Sequence, residues 1–352
     1  MKHILFLGLL VGVTAMAQQP RLDNAKLQTR SAAGGLEREF RTLTSSQEPP
    51  AWLGYAVPIV SGRHNSCCWS SGGACGCRLE GGTISTAAPP AAAAVKLEGS
   101  THLFVLFRVE QRKVGKIRTF SEDCPLDAGG LPFIWLSDVR PPESAALLSG
   151  FAAGDDGSRE GGRLSESALG AVALHADPAA DRVLEQFTAA DRPERLRERA
   201  AFWLGVARGR HGYEVLRRMV ESDPSEKVRE KAVFALSQSP EPQAVGTMIA
   251  VARNDKSGHV RGQALFWLAQ KAGRQAVGTI TEAAERDPDT EVKKRAVFAL
   301  SQLPKDEGVP LLIQVAKNNR DAAVRKQAFF WLGQSKDPRA LAFFEETLGA
   351  AK

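Results

Sequence analysis

Several features that identify common classes of protein are missing from this chain. Its most apolar stretch, Ile4 to Val13, is shorter than the roughly 20 residues that a membrane-spanning helix needs. The formal net charge of +6 is spread evenly, because residues 151–352 contain 31 basic and 28 acidic side chains and residues 1–150 contain 15 and 12. The sequence therefore predicts no integral membrane segment after removal of a leader and, without a basic arm or patch, no nucleic-acid partner.

Cysteine is confined to one short region and is absent from residues 125–352. No CxxC pair, the spacing typical of structural zinc sites, occurs in that region. Two disulfides with one cysteine left over are the favoured interpretation, and the sequence does not fix their connectivity. A soft-metal site built from four thiolates, and a thiolate nucleophile paired with His64, are the alternatives. The disulfide candidates are Cys67, Cys68, Cys75, Cys77 and Cys124.

The first residues have the pattern of an export signal. A basic start at residues 1–3 precedes the apolar stretch, and the Ala-Met-Ala sequence at residues 15–17 fits the small-residue rule for cleavage before Gln18. We therefore predict a signal peptide at residues 1–17 and a periplasmic or secreted mature protein, with a Gram-negative periplasm preferred. No cysteine follows the cleavage site directly, so no lipid anchor is expected there.

The C-terminal half repeats with a period of 32 residues, as the spacing of Phe202, Phe234, Phe266, Phe298 and Phe330 shows. Each copy contains an aliphatic residue, an alanine four positions later and a leucine four positions after that. At about 100° per residue the three lie within about 80° of one another, so they form the buried stripe of an amphipathic helix. The columns are Leu196, Val228, Val260, Val292, Val324; Ala200, Ala232, Ala264, Ala296, Ala328; and Leu204, Leu236, Leu268, Leu300, Leu332.

A second amphipathic helix precedes each of these in the same register. One helix pair of this length cannot bury its own apolar face, so neighbouring pairs must stack on one another as an α-solenoid. We predict about six helix-turn-helix repeats over residues 163–352, beginning with a degenerate repeat at Leu164 to Phe187 and ending with a cap around Phe343. The apolar column of the preceding helices is Leu184, Leu216, Met248, Ile280, Leu312 and Phe344.

The repeats resemble a known group. The pattern D-x4-V-R-x2-A-x3-L, present from Asp223 to Leu236 and, with lysine for arginine, from Asp287 to Leu300, is similar to the HEAT-like repeats of the phycobilisome-lyase type. The resemblance covers roughly residues 163–348 and implies a solenoid, a fold that serves many scaffolds and few enzymes. Deoxyhypusine hydroxylases, built from related repeats, hold two irons with His-Glu pairs. No His-Glu dipeptide occurs here, so no catalytic residue, metal or cofactor is predicted.

Residues 18–150 differ in character, and we predict that they form a small cysteine-rich, mostly β domain. The predicted strands are His102–Val109, Lys116–Phe120 and Leu131–Leu136, the first two joined by a turn at Arg112–Gly115. A helix is predicted from Pro141 to Leu148. Residues 151–162, dense in glycine and charge, are the predicted linker to the repeats.

The phenylalanine column lies on the helix face opposite the buried stripe, at about 240° when Val228 is taken as 0°. A glutamine follows four residues later in four consecutive repeats. Apolar side chains repeated along one exposed face commonly mark an interaction site, so we predict an extended protein or peptide partner. The predicted binding residues are Phe234, Phe266, Phe298, Phe330, Gln238, Gln270, Gln302 and Gln334.

The resemblance places this face on the concave side of the solenoid. Basic side chains flank it: Lys231, Lys294, Arg295 and Lys326. The alternative interpretation is that the phenylalanine rings lie flat against one another between adjacent helices. A neighbouring column alternates tryptophan with alanine, and we predict that its tryptophans belong to the core because large then faces small between helices. They are Trp203, Trp267 and Trp331.

Another column carries acidic or amide side chains six residues before a basic one. We interpret it as a structural ladder, because an aspartate before a helix caps free amides and a basic side chain one turn later can bond the neighbouring aspartate. Its members are Asp191, Asp223, Asp255, Asp287 and Asn319.

Two functional classes follow from these patterns. The favoured one is an exported protein-interaction scaffold whose solenoid binds an extended partner. The alternative is a metal-binding or thiol-dependent enzyme centred on Cys67 to Cys77, with the solenoid as an adaptor.

Overall fold

The computed structural model describes residues 19–61, 67–68, 76–81 and 99–349. The predicted signal peptide, His64 and Cys75 lie outside the described residues. The chain divides between Leu147 and Leu148 into two compact units. The interval predicted as a linker contains the end of one helix, residues 154–158 and the start of the next helix, and the predicted domain boundaries stay predictions.

The N-terminal unit is built on a five-stranded mixed sheet. Its strand order is β2-β8-β3-β5-β6. Strand β8 runs parallel to both of its neighbours, whereas β5 runs antiparallel to both β3 and β6. Helix α1 (Leu36–Ser46) connects β2 to β3, the kind of crossover that parallel strands require. The strands are β1 (Leu22–Asp23), β2 (Lys26–Ser31), β3 (Ala51–Pro58), β4 (Cys77–Arg78), β5 (His102–Glu110), β6 (Lys113–Ser121), β7 (Leu126–Asp127) and β8 (Pro132–Ser137).

Strand β5 contains an unbroken apolar and buried run, residues 103–107, because both faces of the sheet are covered. On one face, Phe107 packs against Phe40 of α1, with ring centroids 4.7 Å apart. On the other face, Phe104 belongs to a buried apolar cluster that contains Cys77 and Leu126, outside the five-stranded sheet. Burial on two sides explains why this segment shows a continuous apolar run rather than alternation.

The predicted mostly β region is confirmed, with differences in extent. Strands β5 and β6 are joined at Gln111 and Arg112, whose φ angles are 51° and 62°, as in the tight two-residue turn of a hairpin. The predicted turn is therefore too long, since β6 already begins at Lys113. Helix α2 (Pro141–Ala153) continues beyond the predicted Leu148. The segment β2-α1-β3 was not predicted.

A smaller three-stranded parallel sheet is ordered β1-β7-β4; Cys77 lies in β4, and Cys124 lies two residues before β7. Two disulfides, Cys67–Cys124 and Cys68–Cys77, join the described cysteines. Cys77 and Cys124 are fully buried and belong to the same apolar cluster as Trp52 of the large sheet. The disulfides thus cross-link a loop region to a strand and a turn, which adds the constraint that a small core lacks.

The C-terminal unit is a stack of antiparallel helix pairs. We call the helices that carry the phenylalanine column the second helices; they are α3 (Arg159–Ala173), α5 (Glu194–Ala207), α7 (Glu226–Gln238), α9 (Gly258–Ala272), α11 (Thr290–Ser301) and α13 (Ala322–Ser335). The first helices are α4 (Ala179–Gln186), α6 (Gly209–Ser222), α8 (Gln243–Asn254), α10 (Val277–Arg286), α12 (Lys305–Asn318) and α14 (Pro338–Gly349), with a 3-10 turn at Gly273–Ala276 before α10.

The predicted buried stripe is confirmed. All fifteen side chains of the aliphatic, alanine and leucine columns are buried, and Leu196, at 5% exposure, is the least buried of them. Close approach of backbones is visible at Gly205, where an added Cβ would lie 2.3 Å from the carbonyl oxygen of Ala235 on the next second helix. The stripe therefore forms one continuous core along the stack.

Arginine and aspartate connect consecutive repeats, as the ladder interpretation predicts. Arg229 of α7 donates from Nε and Nη2 to Asp255 at 2.8 and 3.1 Å, and its Nη1 donates to the carbonyl oxygen of Asp223 at 3.0 Å. Such a bidentate buried pair fixes both the spacing and the rotation of neighbouring repeats. The same arrangement joins Arg197 to Asp223 and Arg261 to Asp287.

Candidate functional site

Eight aromatic rings form an unbroken series across the second helices, which we call the aromatic ladder. Within a helix, each tryptophan contacts the phenylalanine before it, with centroids 4.9 to 5.3 Å apart. Between helices the series continues at centroid distances of 4.7 to 6.1 Å. In order along the stack the rings are Trp203, Phe202, Phe234, Trp267, Phe266, Phe298, Trp331 and Phe330.

The alternation of tryptophan and alanine decides how each phenylalanine meets the next helix. Where the next helix presents alanine, two phenylalanines stack almost parallel, as Phe266 and Phe298 do at 5.6 Å and 4°. Where the next helix presents tryptophan, the phenylalanine packs on the indole, as Phe234 does on Trp267 at 4.7 Å. The ladder therefore repeats every two helix pairs, although the backbone repeats every one.

The two ends of the ladder differ. At the start, Gly170 of α3 stands in the phenylalanine column, and an added Cβ there would lie 2.7 Å from the ring of Trp203. The glycine thus leaves the space that the indole fills. At the other end Phe330 is 54% exposed, more than any other aromatic side chain among the described residues. The ladder is closed by α3 at one end and accessible at the other.

Exposure and stacking coexist along the ladder, so the two interpretations of the phenylalanine column are not exclusive. Phe234, Phe266 and Phe298 are half-buried, and each leaves part of its ring accessible. The prediction that the tryptophans belong to the core is wrong in part. All three are half-buried and contact the phenylalanine rings, because the column lies at the edge of the helix interface rather than inside it.

The four predicted glutamines lie beside the ladder and are all exposed. Gln238 donates to Ser237 Oγ at 2.9 Å, and Gln302 donates to Ser301 Oγ at 3.1 Å. Gln270 reaches across one repeat to Gln302, with Nε2 and Oε1 3.5 Å apart. These amides keep further donors and acceptors for a ligand, since each carries two of each kind. Gln334 completes the row next to Phe330.

The four cations of the predicted basic flank have four different environments. The ammonium of Lys231 lies 5.5 Å above the ring of Phe234, within range of a cation–π contact. Lys294 pairs with Glu291 at 2.7 Å. Arg295 donates to Nδ1 of His259 at 3.0 Å, while the other ring nitrogen of that histidine lies 3.1 Å from Glu230. Lys326, the fourth cation, is exposed beside the accessible end of the ladder.

One pocket of the C-terminal unit lies apart from the aromatic ladder, and another adjoins it at Gln302, Trp331 and Gln334. An open cleft of about 810 Å³ separates α6 from α8 and is lined by Tyr213, Gly246, Thr247 and Ala250 among others. A smaller pocket of about 320 Å³ lies where α11 and α13 end, next to Trp331. The sequence did not predict the cleft, because small residues on a first helix give no distinct periodic signal.

The cysteine cluster contains an additional cation that sequence reasoning missed. Arg118 of β6 contacts both sulfurs of the Cys68–Cys77 disulfide, at 3.4 and 2.9 Å. Sulfurs joined in disulfides are neither thiolate ligands nor nucleophiles. Within the described part of the chain, no three histidine, cysteine, aspartate or glutamate side chains are grouped so as to hold a metal ion.

No helix in the described ranges is both long enough and apolar enough to cross a lipid bilayer.

The family of HEAT repeats matches residues 180–269 and 277–352. Among solved structures, human deoxyhypusine hydroxylase with glycerol is 16% identical over 57% of this chain and 81% of its own, with a TM-score of 0.31. The CpcE–CpcF complex of phycocyanin lyase from Nostoc is 16% identical over 44% of this chain and 97% of its own, with a TM-score of 0.35.

A third similar structure is the complex of yeast Kap95 with Nup1, 15% identical over 56% of this chain and 31% of the other, with a TM-score of 0.40. No curated protein sequence is similar to this chain. None of these similarities transfers an activity. The match to the repeat family and the helix pairs agree with the HEAT-like assignment made from the sequence. The C-terminal half of the chain is a HEAT-repeat solenoid.

Proposed function

We propose that this protein is an exported interaction scaffold that binds an extended segment of a partner protein along the aromatic ladder. The observation that carries the proposal is the ladder itself: eight rings in contact, half-buried or exposed, with a row of exposed glutamines beside them. A HEAT-repeat solenoid is a fold of protein-interaction scaffolds. An accessible apolar surface of this extent is costly in water unless a partner covers it.

The arrangement of the helices supports a concave position for the ladder. Neighbouring second helices approach one another along more of their length than neighbouring first helices do. In a curved stack the layer with the closer helices is the inner one, because its path is shorter. A segment lying along this inner layer would contact several repeats at once.

Each of the four repeats that carry a glutamine offers a partner two kinds of contact. The ring edges and faces accept apolar side chains, and the glutamine amides both donate to and accept from a peptide backbone. An extended peptide presents its backbone groups at a regular spacing, which suits a row of identical amides on successive helices. The exposed ring of Phe330 and the exposed ammonium of Lys326 favour a partner that places an apolar group and a negative charge near the end of the ladder.

Export is part of the proposal and rests on two features. Residues 1–17 have the pattern of a cleavable signal, and the described cysteines form two disulfides, which persist in oxidising compartments. Expression with fractionation of the periplasm and N-terminal sequencing tests this. A mature chain that starts at Gln18 in the periplasm supports export, and an uncleaved cytoplasmic chain contradicts it.

Binding is tested with a display library of random twelve-residue peptides on the immobilised mature protein, followed by titration of enriched synthetic peptides. Tryptophan fluorescence reports the titration, since Trp267 and Trp331 lie within the ladder. The double variant Phe330→Ala with Gln334→Ala removes exposed groups at little cost in stability. We expect its affinity to fall about tenfold or more, equivalent to about 1.4 kcal/mol.

The matched control is Leu341→Ala with Leu348→Ala, which removes two exposed apolar side chains of α14 outside the ladder. This control is expected to bind like the unaltered protein. Two outcomes would show that the ladder is not the binding site. One is an equal loss of affinity in both double variants, and the other is an unchanged affinity when the ladder is altered.

A further inference from the structure

The guanidinium of Arg118 lies beside the Cys68–Cys77 disulfide of the N-terminal unit, and the proposed scaffold function does not involve it. Nη2 of Arg118 lies 2.9 Å from Cys77 Sγ and 3.4 Å from Cys68 Sγ. Nη1 donates to the carbonyl oxygen of Arg78 at 3.1 Å, and the guanidinium carbon lies 4.7 Å from the centroid of the Phe120 ring. The side chain is therefore fixed against the two sulfurs by its other contacts.

The charge of Arg118 is uncompensated within the described part of the chain. Arg118 is half-buried, and its contacts are with sulfur, a carbonyl oxygen and an aromatic ring rather than with a carboxylate. Burial lowers the pKa of Arg118 below its usual range, because desolvation of a cation is unfavourable where no anion offsets it. A thiolate formed at this place would supply the missing negative charge.

We propose that Cys68–Cys77 is a redox-active disulfide and that Arg118 stabilises the thiolate released from Cys77. The two cysteines differ in exposure. Cys68 is partly exposed, whereas Cys77 is fully buried. An external thiolate therefore reaches Cys68, and Cys77 is the leaving group. A cation next to the leaving sulfur accelerates exchange, because a thiol of lower pKa leaves faster.

The reductant is a dithiol, either a small molecule or a protein. One of its thiolates attacks Cys68 Sγ and forms a mixed disulfide, while the electron pair of the broken bond stays on Cys77 as a thiolate next to Arg118. The second thiol of the dithiol then loses its proton and attacks the mixed disulfide. This step releases Cys68 as a thiolate, which takes up a proton. The dithiol leaves as a disulfide and has thereby transferred two electrons to the protein.

The second disulfide of the same molecule is an internal control. Cys67 and Cys124 are 57 residues apart, whereas Cys68 and Cys77 are 9 residues apart. Opening the longer loop releases more chain entropy in the unfolded state and so destabilises the folded unit more. We therefore expect a dithiol to reduce Cys68–Cys77 first and to leave Cys67–Cys124 intact in the folded protein.

The test is a titration of the mature protein with dithiothreitol, quenching with N-ethylmaleimide and mass mapping of the labelled cysteines. It is run on a Cys75→Ser background, so that only the four paired cysteines report. The expected result is labelling of Cys68 and Cys77 well before Cys67 and Cys124, with no change in circular dichroism. Simultaneous opening of both disulfides, or opening only with loss of structure, would overturn the proposal.

Arg118 is tested with Arg118→Gln and, as the charge-conserving control, Arg118→Lys. The expected result is a reduction about tenfold slower in Arg118→Gln and nearly unchanged in Arg118→Lys. In the reduced protein, the pH dependence of ultraviolet thiolate absorbance should show the pKa of Cys77 raised by about one unit in Arg118→Gln, a tenfold change in its acid dissociation constant. A purely structural role for Arg118 would alter the melting temperature and leave this titration unchanged, and that outcome would also overturn the proposal.

Discussion

The two units of this chain reach stability by opposite routes. In the solenoid, each buried side chain meets partners one repeat away, and the same contact recurs along the stack, as between Arg229 and Asp255. In the N-terminal unit, strands distant in sequence must pair, as β2 does with β8, and two disulfides secure the loops. When one local, repeated contact is lost, unfolding can stay limited to the adjacent repeats. When one long-range contact is lost, the strands that depend on it unfold together.

This difference predicts how far the effect of a destabilising substitution spreads. A substitution in the solenoid should increase unfolding of the adjacent repeats, and a substitution in the sheet should increase unfolding of the whole N-terminal unit. Hydrogen exchange read by mass spectrometry distinguishes the two, because it reports protection element by element. The following changes test the comparison, beginning with the one of largest effect.

Removal of one arginine from the buried arginine–aspartate pairs between repeats should have the largest effect. Arg229→Met leaves the carboxylate of Asp255 buried without its bidentate partner, which costs about 3 to 5 kcal/mol. We expect exchange to accelerate in α6 to α9 while protection in β5 stays the same. The control is Lys293→Met, in the same column, where the facing side chain is the uncharged Asn319, whose Nδ2 bonds the carbonyl of Ala284 instead. Similar losses in both variants would show that the charge pair contributes nothing specific.

Removal of the longer disulfide should affect only the other unit. Cys67→Ser with Cys124→Ser frees a loop of 57 residues, for which chain entropy predicts a loss of about 4 kcal/mol. The expected result is faster exchange throughout the five-stranded sheet and unchanged melting of the solenoid. Faster exchange limited to the neighbourhood of β7 would contradict the view that this sheet unfolds as one cooperative unit.

Acid should destabilise the start of the solenoid through His175. Burial, the dominant cause, together with the guanidinium of Arg208, lowers the pKa of this histidine from 6.5 to about 4, while Asp177 and a hydrogen bond to the carbonyl of Ala171 act in the opposite direction. The unfolded chain therefore binds a proton that the folded chain does not. The stability is complete above pH about 6.5 and is lost as pH falls towards about 4, by about 3 kcal/mol.

The measurement is the free energy of unfolding of the C-terminal unit between these pH values for the unaltered protein and for His175→Gln. Glutamine does not titrate, so the variant should lose less stability over this interval, although its own stability near neutral pH is lower. Parallel pH profiles for the two proteins would assign the acid sensitivity to other groups.

How much the sequence predicts follows from the same contrast. The columns of the solenoid could be assigned because one residue spacing fixes every contact, and Val228, Ala232 and Leu236 are buried as their angles require. The ladder column of phenylalanines was found for the same reason. The tryptophans were misplaced because their angle lies at the boundary between interface and surface, where a few degrees decide the neighbour.

The structure of the N-terminal unit could be predicted from the sequence only in part. The strand pattern of β5 is visible in the sequence, but its pairing with β3 depends on residues about fifty positions away, for which no local signal exists. The contact between Arg118 and the Cys68–Cys77 disulfide depends in turn on that sheet. Such a site becomes visible only when the chain has folded.

The smallest expected effect concerns the ends of alternate second helices. Where α7 ends, the ammonium of Lys271 donates to the carbonyl oxygens of Ser237 and Ser239 at 2.9 and 2.7 Å. Where α3 ends, Arg208 donates in the same way to the carbonyls of Ala173 and His175. A cation at this place satisfies helix carbonyls that lack an intrahelical partner and complements the helix dipole.

Helix α11 is the third member of this series, and the residue in the column of Lys271 is here a serine, Ser335, at the end of α13. The pocket of about 320 Å³ lies there, lined by Ser301, Leu303 and Ser335. Ser335→Lys should therefore stabilise the solenoid by about 0.5 to 1 kcal/mol, seen as a higher melting temperature with slower exchange at the end of α11. Ser335→Met fills the same space without charge, so equal stabilisation by both variants would show that packing rather than the ammonium strengthens this joint between repeats.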